Sequence, residues 1–73
     1  MKTSLRPMLL NTGAGYDVLD TTAQSIGFVY RENGSHVWVA HPLPEGPETN
    51  HRTRKGAVAA CVLVKLNAAA SRA

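Results

Sequence analysis

The sequence predicts an α+β fold in which a small antiparallel sheet of two or three strands packs on one C-terminal helix. Two observations predict it. Asn33-Gly34 lies between two segments of alternating apolar residues, and a segment rich in alanine and valine follows near the end of the chain. The 73 residues have room for one small domain. Hydrophobic residues at 44% and charged residues at 18% are typical of a globular protein and exclude a wholly disordered one.

The beginning of the chain predicts an arm over residues 1–15 that is flexible or is ordered only by a partner. Pro7 interrupts its apolar residues, and the glycines in residues 11–15 favour a turn over a regular element. The domain then spans residues 16–70, and residues 71–73 form a tail. Residues 16–20 are interpreted as either a short strand or an extended lead-in to the sheet.

The hairpin begins at Ser25, where side chains start to alternate with the period of two that a half-buried strand requires. A type I′ turn at Asn33-Gly34 leads into a second strand over residues 35–41, and a two-residue loop pairs Tyr30 with Val37. This register separates two faces. We expect the helix to cover the face that carries Ile26, Phe28, Tyr30, Val37 and Val39. The other face, which carries Val29, Arg31, His36 and Trp38, is then free for a partner.

Three further segments complete the domain. The prolines in residues 42–47 predict a loop, because proline lacks the N–H that a central strand needs. Residues 48–52 are a candidate third strand at the edge of the sheet. Thr53 has the side chain of a helix N-cap, and the helix is expected from Arg54 to about Ala69.

The apolar stripe of this helix is wider than packing on a three-stranded sheet requires. We therefore expect a homo-oligomer whose interface includes Val58, Leu63 and Leu66. The alternative, left open by the sequence, is that the apolar residues 8–10 fold over the stripe within one chain.

No constellation of catalytic residues is found in the sequence, and we expect neither an enzyme nor a cofactor. His36 and His41 are an odd number of residues apart, so on one strand they face opposite sides and predict no metal site. The single cysteine, Cys61, lies within the apolar stripe, where a cysteine is usually buried and its thiol unreactive.

Basic residues cluster where the helix begins. Their position opposes the helix dipole, which favours anions at its N-terminus, and a bound phosphate would reverse that effect. The net charge of +3 and the isoelectric point near 9.5 are compatible with a polyanionic partner. An exposed tryptophan beside an arginine is suited to stacking on bases or to anchoring a protein contact. The predicted partner-binding residues are Arg31, His36, Trp38, Arg52, Arg54 and Lys55.

The order of a hairpin, a possible third strand and a helix that begins at Thr53-Arg54-Lys55 resembles two classes of DNA-binding domain. These are the ethylene-response-factor domains of plants and the arm-binding domains of tyrosine recombinases. The resemblance implies that the sheet lies in the major groove of DNA, with Arg31 and Trp38 facing the bases and with Arg52, Arg54 and Lys55 at the backbone. The composition is also similar to that of small bacteriophage accessory proteins, many of which bind a host protein.

Three functions follow as expectations. The first is a non-enzymatic nucleic-acid-binding protein that uses the sheet face and the basic helix start. The second is an interaction module of phage type that binds a host protein, and the third is a self-assembling structural subunit. No apolar run is long enough to span a membrane, and we expect a cytoplasmic protein of a bacterium or a phage-infected cell.

Overall fold

The computed structural model describes residues 2–10, 13–43 and 46–71. Within them the chain forms five strands and one helix, in the order β1 (Ser4–Leu10), β2 (Gly13–Leu19), β3 (Ser25–Glu32), β4 (Trp38–Pro42), β5 (Thr49–His51) and α1 (Arg54–Ser71). The strands form one antiparallel sheet in sequence order. The α+β class and the C-terminal helix are confirmed, but the expected count of two or three strands is wrong, because the sheet has five.

The two additional strands come from the part of the chain that we expected to be an arm. Strand β1 pairs with β2 from Ser4 opposite Leu19 to Leu10 opposite Gly13, and β2 pairs in turn with β3. Pro7 is compatible with this sheet because β1 is an edge strand, which is where proline occurs within sheets. Residues 4–10 and 13–15, which we expected in an arm that is flexible or ordered by a partner, belong instead to strands β1 and β2. The predicted turn residues 11 and 12, and residues 72 and 73 of the predicted tail, lie outside the described residues, while the helix includes Ser71.

A β-bulge in β3 changes which side chains enter the core. Val18 pairs with Gly27 and Leu19 with Ser25, so Ile26 is an extra residue without a partner in β2. A bulge places two successive residues on one side of the sheet. Ile26 consequently joins the buried cluster, away from the face of Phe28, with which simple alternation had grouped it.

Helix α1 covers the opposite face of the sheet from the one that we expected. It packs on β3, β4 and β5, and Val29 and Ala40, which pair with each other, are fully buried under it. The core consists of Val18, Ile26, Val29, Ala40, Ala57 and Cys61. Small residues on both surfaces explain this choice, since a Cβ added to Gly27 would lie 2.8 Å from the Cys61 Sγ. Phe28, Tyr30 and Val39 belong to the uncovered face instead, and Val37 is 41% exposed.

The turn between β3 and β4 differs from the predicted type I′ turn. The Ser35 N–H donates to the Glu32 carbonyl at 3.0 Å, and Gly34 has a φ of 81°, whereas Asn33 is not in the positive-φ region. This is the pattern of a type II turn, which fits the twist of a hairpin less well than a type I′ turn. Pairing resumes only at Trp38, so Tyr30 lies opposite Val39 rather than Val37.

The remaining elements agree with the sequence more closely. Strand β5 is the predicted third strand and pairs with residues 38–40 of β4. Pro42, expected in a loop, ends β4 at a point beyond the pairing with β5. Residues 44 and 45 of the predicted loop lie outside the described residues. Thr53 caps α1 as predicted, because its Oγ1 accepts a hydrogen bond from the Gly56 N–H at 3.0 Å.

The uncovered face of the sheet carries a row of stacked rings. The Phe28 ring lies 4.6 Å from that of His41 and 6.1 Å from that of Tyr30. Glu48 accepts a hydrogen bond from the Tyr30 hydroxyl at 3.0 Å and lies 3.7 Å from the His41 Nδ1. Asp17, on the same face, accepts hydrogen bonds from Arg6 and Ser25. The rings therefore pack on one another, and the carboxylates nearby give this face little attraction for an anion.

Candidate functional site

A groove of about 490 Å³ lies beside the start of helix α1. On one side the groove is lined by Leu5 of strand β1 and by Thr3, which directly precedes that strand. On the other side it is lined by Arg54, Lys55 and Val58 from the first turns of α1. Trp38, the first residue of β4, completes the lining. We call this concavity the basic groove, and it exists because the β1–β2 hairpin extends the sheet beyond the helix.

Two aromatic side chains lie side by side, Trp38 in the lining of the basic groove and Tyr16 next to it. The Tyr16 and Trp38 ring centroids are 6.3 Å apart, with 34° between the ring planes. Both side chains pack against the core from the helix side of the sheet, because Tyr16 lies opposite Val29 and so shares its face. This support from the core fixes the rings in place without burying either of them fully.

Two arginines lie over these rings. The Arg31 guanidinium carbon is 5.4 Å from the centroid of the Trp38 ring, and that of Arg54 is 4.9 Å from the centroid of the Tyr16 ring. Cation–π attraction of this kind contributes roughly 0.5–1 kcal/mol at exposed sites. The contacts orient the guanidinium groups while their N–H groups remain able to bind an anion.

Among the described residues, no carboxylate forms an ion pair with the cations at the basic groove. In the described part of the chain, the ion pairs are Arg6 with Asp17 and His41 with Glu48, both on the uncovered face of the sheet. The first turn of α1 contains no acidic residue. Arg31, Arg54 and Lys55 therefore add to the positive end of the helix dipole and make this side of the molecule electropositive.

The structure brings together four of the six predicted partner-binding residues. Trp38, Arg54 and Lys55 line the basic groove and the Arg31 guanidinium lies over the Trp38 ring, whereas His36 and Arg52 are exposed and neither line the groove nor contact its rings. The setting of Arg31 and Trp38 differs from the prediction, because both lie on the side of the sheet that the helix covers. Their expected neighbour Val29 is fully buried there.

Thr3 and Leu5, which line the groove, and Tyr16, which contacts Trp38 and Arg54, were not predicted as residues of the site. Each belongs to, or directly precedes, the β1–β2 hairpin, most of which we had assigned to an arm. The available signal was the spacing of two between Tyr16 and Val18, which places both on one face of a strand.

The residues proposed for an oligomer interface fall into two groups. Val58 is half-buried and lines the basic groove. Leu63 and Leu66 are 60% and 47% exposed on α1. Their apolar side chains form a small patch that is separate from the groove lining.

Other kinds of site have little support in the described residues. They contain no group of three His, Cys, Asp or Glu side chains placed to hold a metal ion. Cys61 is buried, and this burial raises the pKa of its thiol, which favours the unreactive protonated form. None of the described helical segments has the length and apolar character needed to cross a membrane.

Comparison of the chain with protein-family models, curated proteins and solved structures gives no match. No relative therefore supports the resemblance to DNA-binding domains.

Proposed function

We propose that the protein is a small, non-enzymatic nucleic-acid-binding protein and that the basic groove is its interface. The observation that carries this proposal is the convergence of Arg31, Arg54 and Lys55, none paired with a carboxylate in the described part of the chain, around the rings of Tyr16 and Trp38. Cations bind phosphates, and aromatic rings stack on bases, so the groove combines the two contacts that nucleic-acid binding requires.

Phosphate binding also relieves an unfavourable arrangement at the helix start. Two cations, Arg54 and Lys55, occupy the first positions of α1, where the helix dipole disfavours positive charge. A phosphate in the groove interacts favourably with both the cations and the dipole. The free protein therefore carries an electrostatic cost that a polyanion removes.

The interface differs from the one implied by the resemblance to sheet-based DNA readers. In those domains the sheet face that carries arginine and tryptophan lies away from the helix. Here Arg31 and Trp38 share the helix side, and the uncovered face carries Asp17 and Glu48 beside its stacked rings. The proposed interface is consequently the groove beside the helix.

The salt dependence of binding tests this proposal. Release of counterions from three phosphate contacts predicts a slope of log K against log salt of roughly −2 for a single strand and about −2.7 for a duplex. Arg31→Ala combined with Arg54→Ala removes two of the three cations and is expected to reduce the slope to about a third of its value. Fluorescence anisotropy of a labelled oligonucleotide over a salt titration measures both affinity and slope.

A matched control has the same net charge as the Arg31→Ala, Arg54→Ala variant but loses two cations elsewhere on the surface. Arg6→Ala with Lys65→Ala removes two cations that do not line the basic groove. The control is expected to bind almost as well as wild type. Equal losses of affinity in the two double variants contradict the assignment of the groove, because net charge alone then accounts for binding.

Self-association is a second candidate, favoured by the exposed patch of Leu63 and Leu66. A second copy or a host protein that covers this patch would remove apolar surface from water. Leu63→Glu with Leu66→Glu is expected to lower the mass measured by light scattering if the wild-type protein is a dimer. A monomeric wild-type protein contradicts self-association and leaves the patch to another protein.

A further inference from the structure

The shape of the basic groove distinguishes between single-stranded and duplex nucleic acid. Proteins that read duplex DNA through the major groove insert a protruding helix or a two-stranded ribbon. Here Trp38 lines a concavity of about 490 Å³ together with residues from the start of β1 and from α1. A concave site cannot deliver this ring to the edges of stacked base pairs.

The lining of the groove suits the flat face of an unpaired base. Leu5, Trp38 and Val58 provide apolar surface, and a volume of this size is within the range of small-ligand pockets. An unpaired base exposes both faces of its ring to water, and burial of one face against an aromatic side chain is favourable for every base. A paired base inside a duplex is already stacked and gains nothing from the groove.

The cations are placed for the backbone of the same strand. Arg54 and Lys55 line the groove about one helical turn before Val58, and the Arg31 guanidinium lies over the Trp38 ring. Phosphates that flank a base in the groove therefore have cations on two sides, from β3 and from the start of α1.

We infer that the groove binds single-stranded nucleic acid and holds one unpaired base against Trp38 and Val58, with the flanking phosphates at Arg31, Arg54 and Lys55. This inference rests on the proposed function and narrows its ligand. Binding is expected to be tolerant of base identity, because the groove is lined mainly by apolar and cationic groups that recognise ring faces and phosphates.

Tryptophan fluorescence tests the inference directly, since Trp38 is the only tryptophan of the sequence. The probes are an oligothymidylate of about ten nucleotides, a duplex of equal length and an abasic strand of equal length. The single strand is expected to quench the emission and to bind about tenfold more tightly than the abasic strand, whereas the duplex leaves the emission nearly unchanged.

A groove-filling variant separates base insertion from charge. Val58→Phe occupies the concavity without altering any cation and is expected to weaken binding of the oligothymidylate about tenfold while leaving abasic binding unchanged. Leu63→Phe introduces the same aromatic side chain at an exposed position of the same helix and is the control. Circular dichroism checks that both variants keep the wild-type fold.

Two outcomes distinguish the inference from the function on which it rests. Equal affinity for single strand and duplex, with no effect of Val58→Phe, overturns the inference but preserves nucleic-acid binding. Absence of binding to all three probes at low salt overturns both. Quenching by the oligothymidylate that Val58→Phe abolishes and Leu63→Phe preserves supports the inference.

Discussion

Gly27→Ala is the most informative perturbation of the fold, because at Gly27 a side chain of α1 packs directly on the backbone of the sheet. An alanine Cβ would lie 2.8 Å from the Cys61 Sγ, 2.9 Å from the His41 carbonyl oxygen and 3.2 Å from the Pro42 Cα. Two of these atoms belong to the backbone of β4, so they cannot move away without disturbing the sheet. Gly27 also has a φ of 156°, which a residue with a side chain rarely adopts.

The expected loss of stability combines these effects. Overpacking of a core costs about 1–3 kcal/mol, and strained backbone costs a further 1–3 kcal/mol or so. Reduced freedom of the unfolded chain returns roughly 0.4–1 kcal/mol. The net loss is about 3 kcal/mol, which is a large part of the roughly 4–11 kcal/mol expected for a domain of this size. The midpoint of thermal unfolding is expected to fall by about 12–24 °C.

Thermal unfolding followed by circular dichroism measures this loss, with two comparisons. Gly34→Ala is the control, because Gly34 has a φ of 81° in open space, and only the backbone cost of about 1 kcal/mol applies. Cys61→Ala in the Gly27→Ala background removes one of the three close contacts and is expected to restore roughly 1 kcal/mol. A Gly27→Ala variant as stable as wild type refutes the packing of α1 on the Val29 face.

Two further predictions concern the turn after β2 and the uncovered face. Ala23 has a φ of 65°, which costs an L-residue about 1–2 kcal/mol, so Ala23→Gly is expected to raise the thermal midpoint by about 4 °C after allowance for the entropy of glycine. Ala59→Gly, on an exposed position of α1, is expected to lower the midpoint instead, and a fall in both variants contradicts the strain at Ala23. Hydrogen bonds from Ser25 and Arg6 lower the pKa of Asp17, so its contribution to stability is present above the unfolded value near 3.8 and is lost as pH falls through the folded value. Urea unfolding of wild type and Asp17→Asn is expected to show a difference that shrinks below about pH 4, and a difference independent of pH excludes this role.

The sequence predicted the elements that carry strong local signals. The strand that begins at Ser25 was predicted from the alternation of its side chains, and the start of α1 from the capping side chain of Thr53. The strand before the helix was predicted from its position after the hairpin. The β1–β2 hairpin carries a weaker signal, because Pro7 and the glycines of β2 are typical of loops and only the spacing of Tyr16 and Val18 is typical of a strand. Its stability comes from pairing with β3, which is a tertiary effect that local propensity does not contain.

The choice of the buried face also depended on tertiary packing. Both faces of the hairpin are apolar in part, and the larger side chains, Phe28 and Tyr30, favoured the wrong one. A helix with alanine and cysteine on its packing face approaches a sheet most closely where the sheet residues are small, as at Gly27 and Ala40. The bulge at Ile26 caused a second error. The extra residue shifts the alternation of the strand by one, so Ile26 faces the opposite side from the one that simple alternation predicts.

The same packing explains why the candidate site could be predicted only in part. Arg31, Trp38, Arg54 and Lys55 were predicted from their charge and aromatic character. Their meeting in a groove depends on the side of the sheet that α1 covers and on the hairpin that extends beyond it. Neither feature can be predicted from the residues of the site alone.

The most direct test of the central claim is a titration of the isotope-labelled protein with an oligothymidylate, followed by NMR. The account predicts that chemical shifts change at the Trp38 indole N–H and at the amides of Tyr16, Arg54 and Lys55, with little change at Phe28. Shifts concentrated at Phe28 and its neighbours on the uncovered face, with the Trp38 indole unmoved, would contradict the basic groove as the binding site.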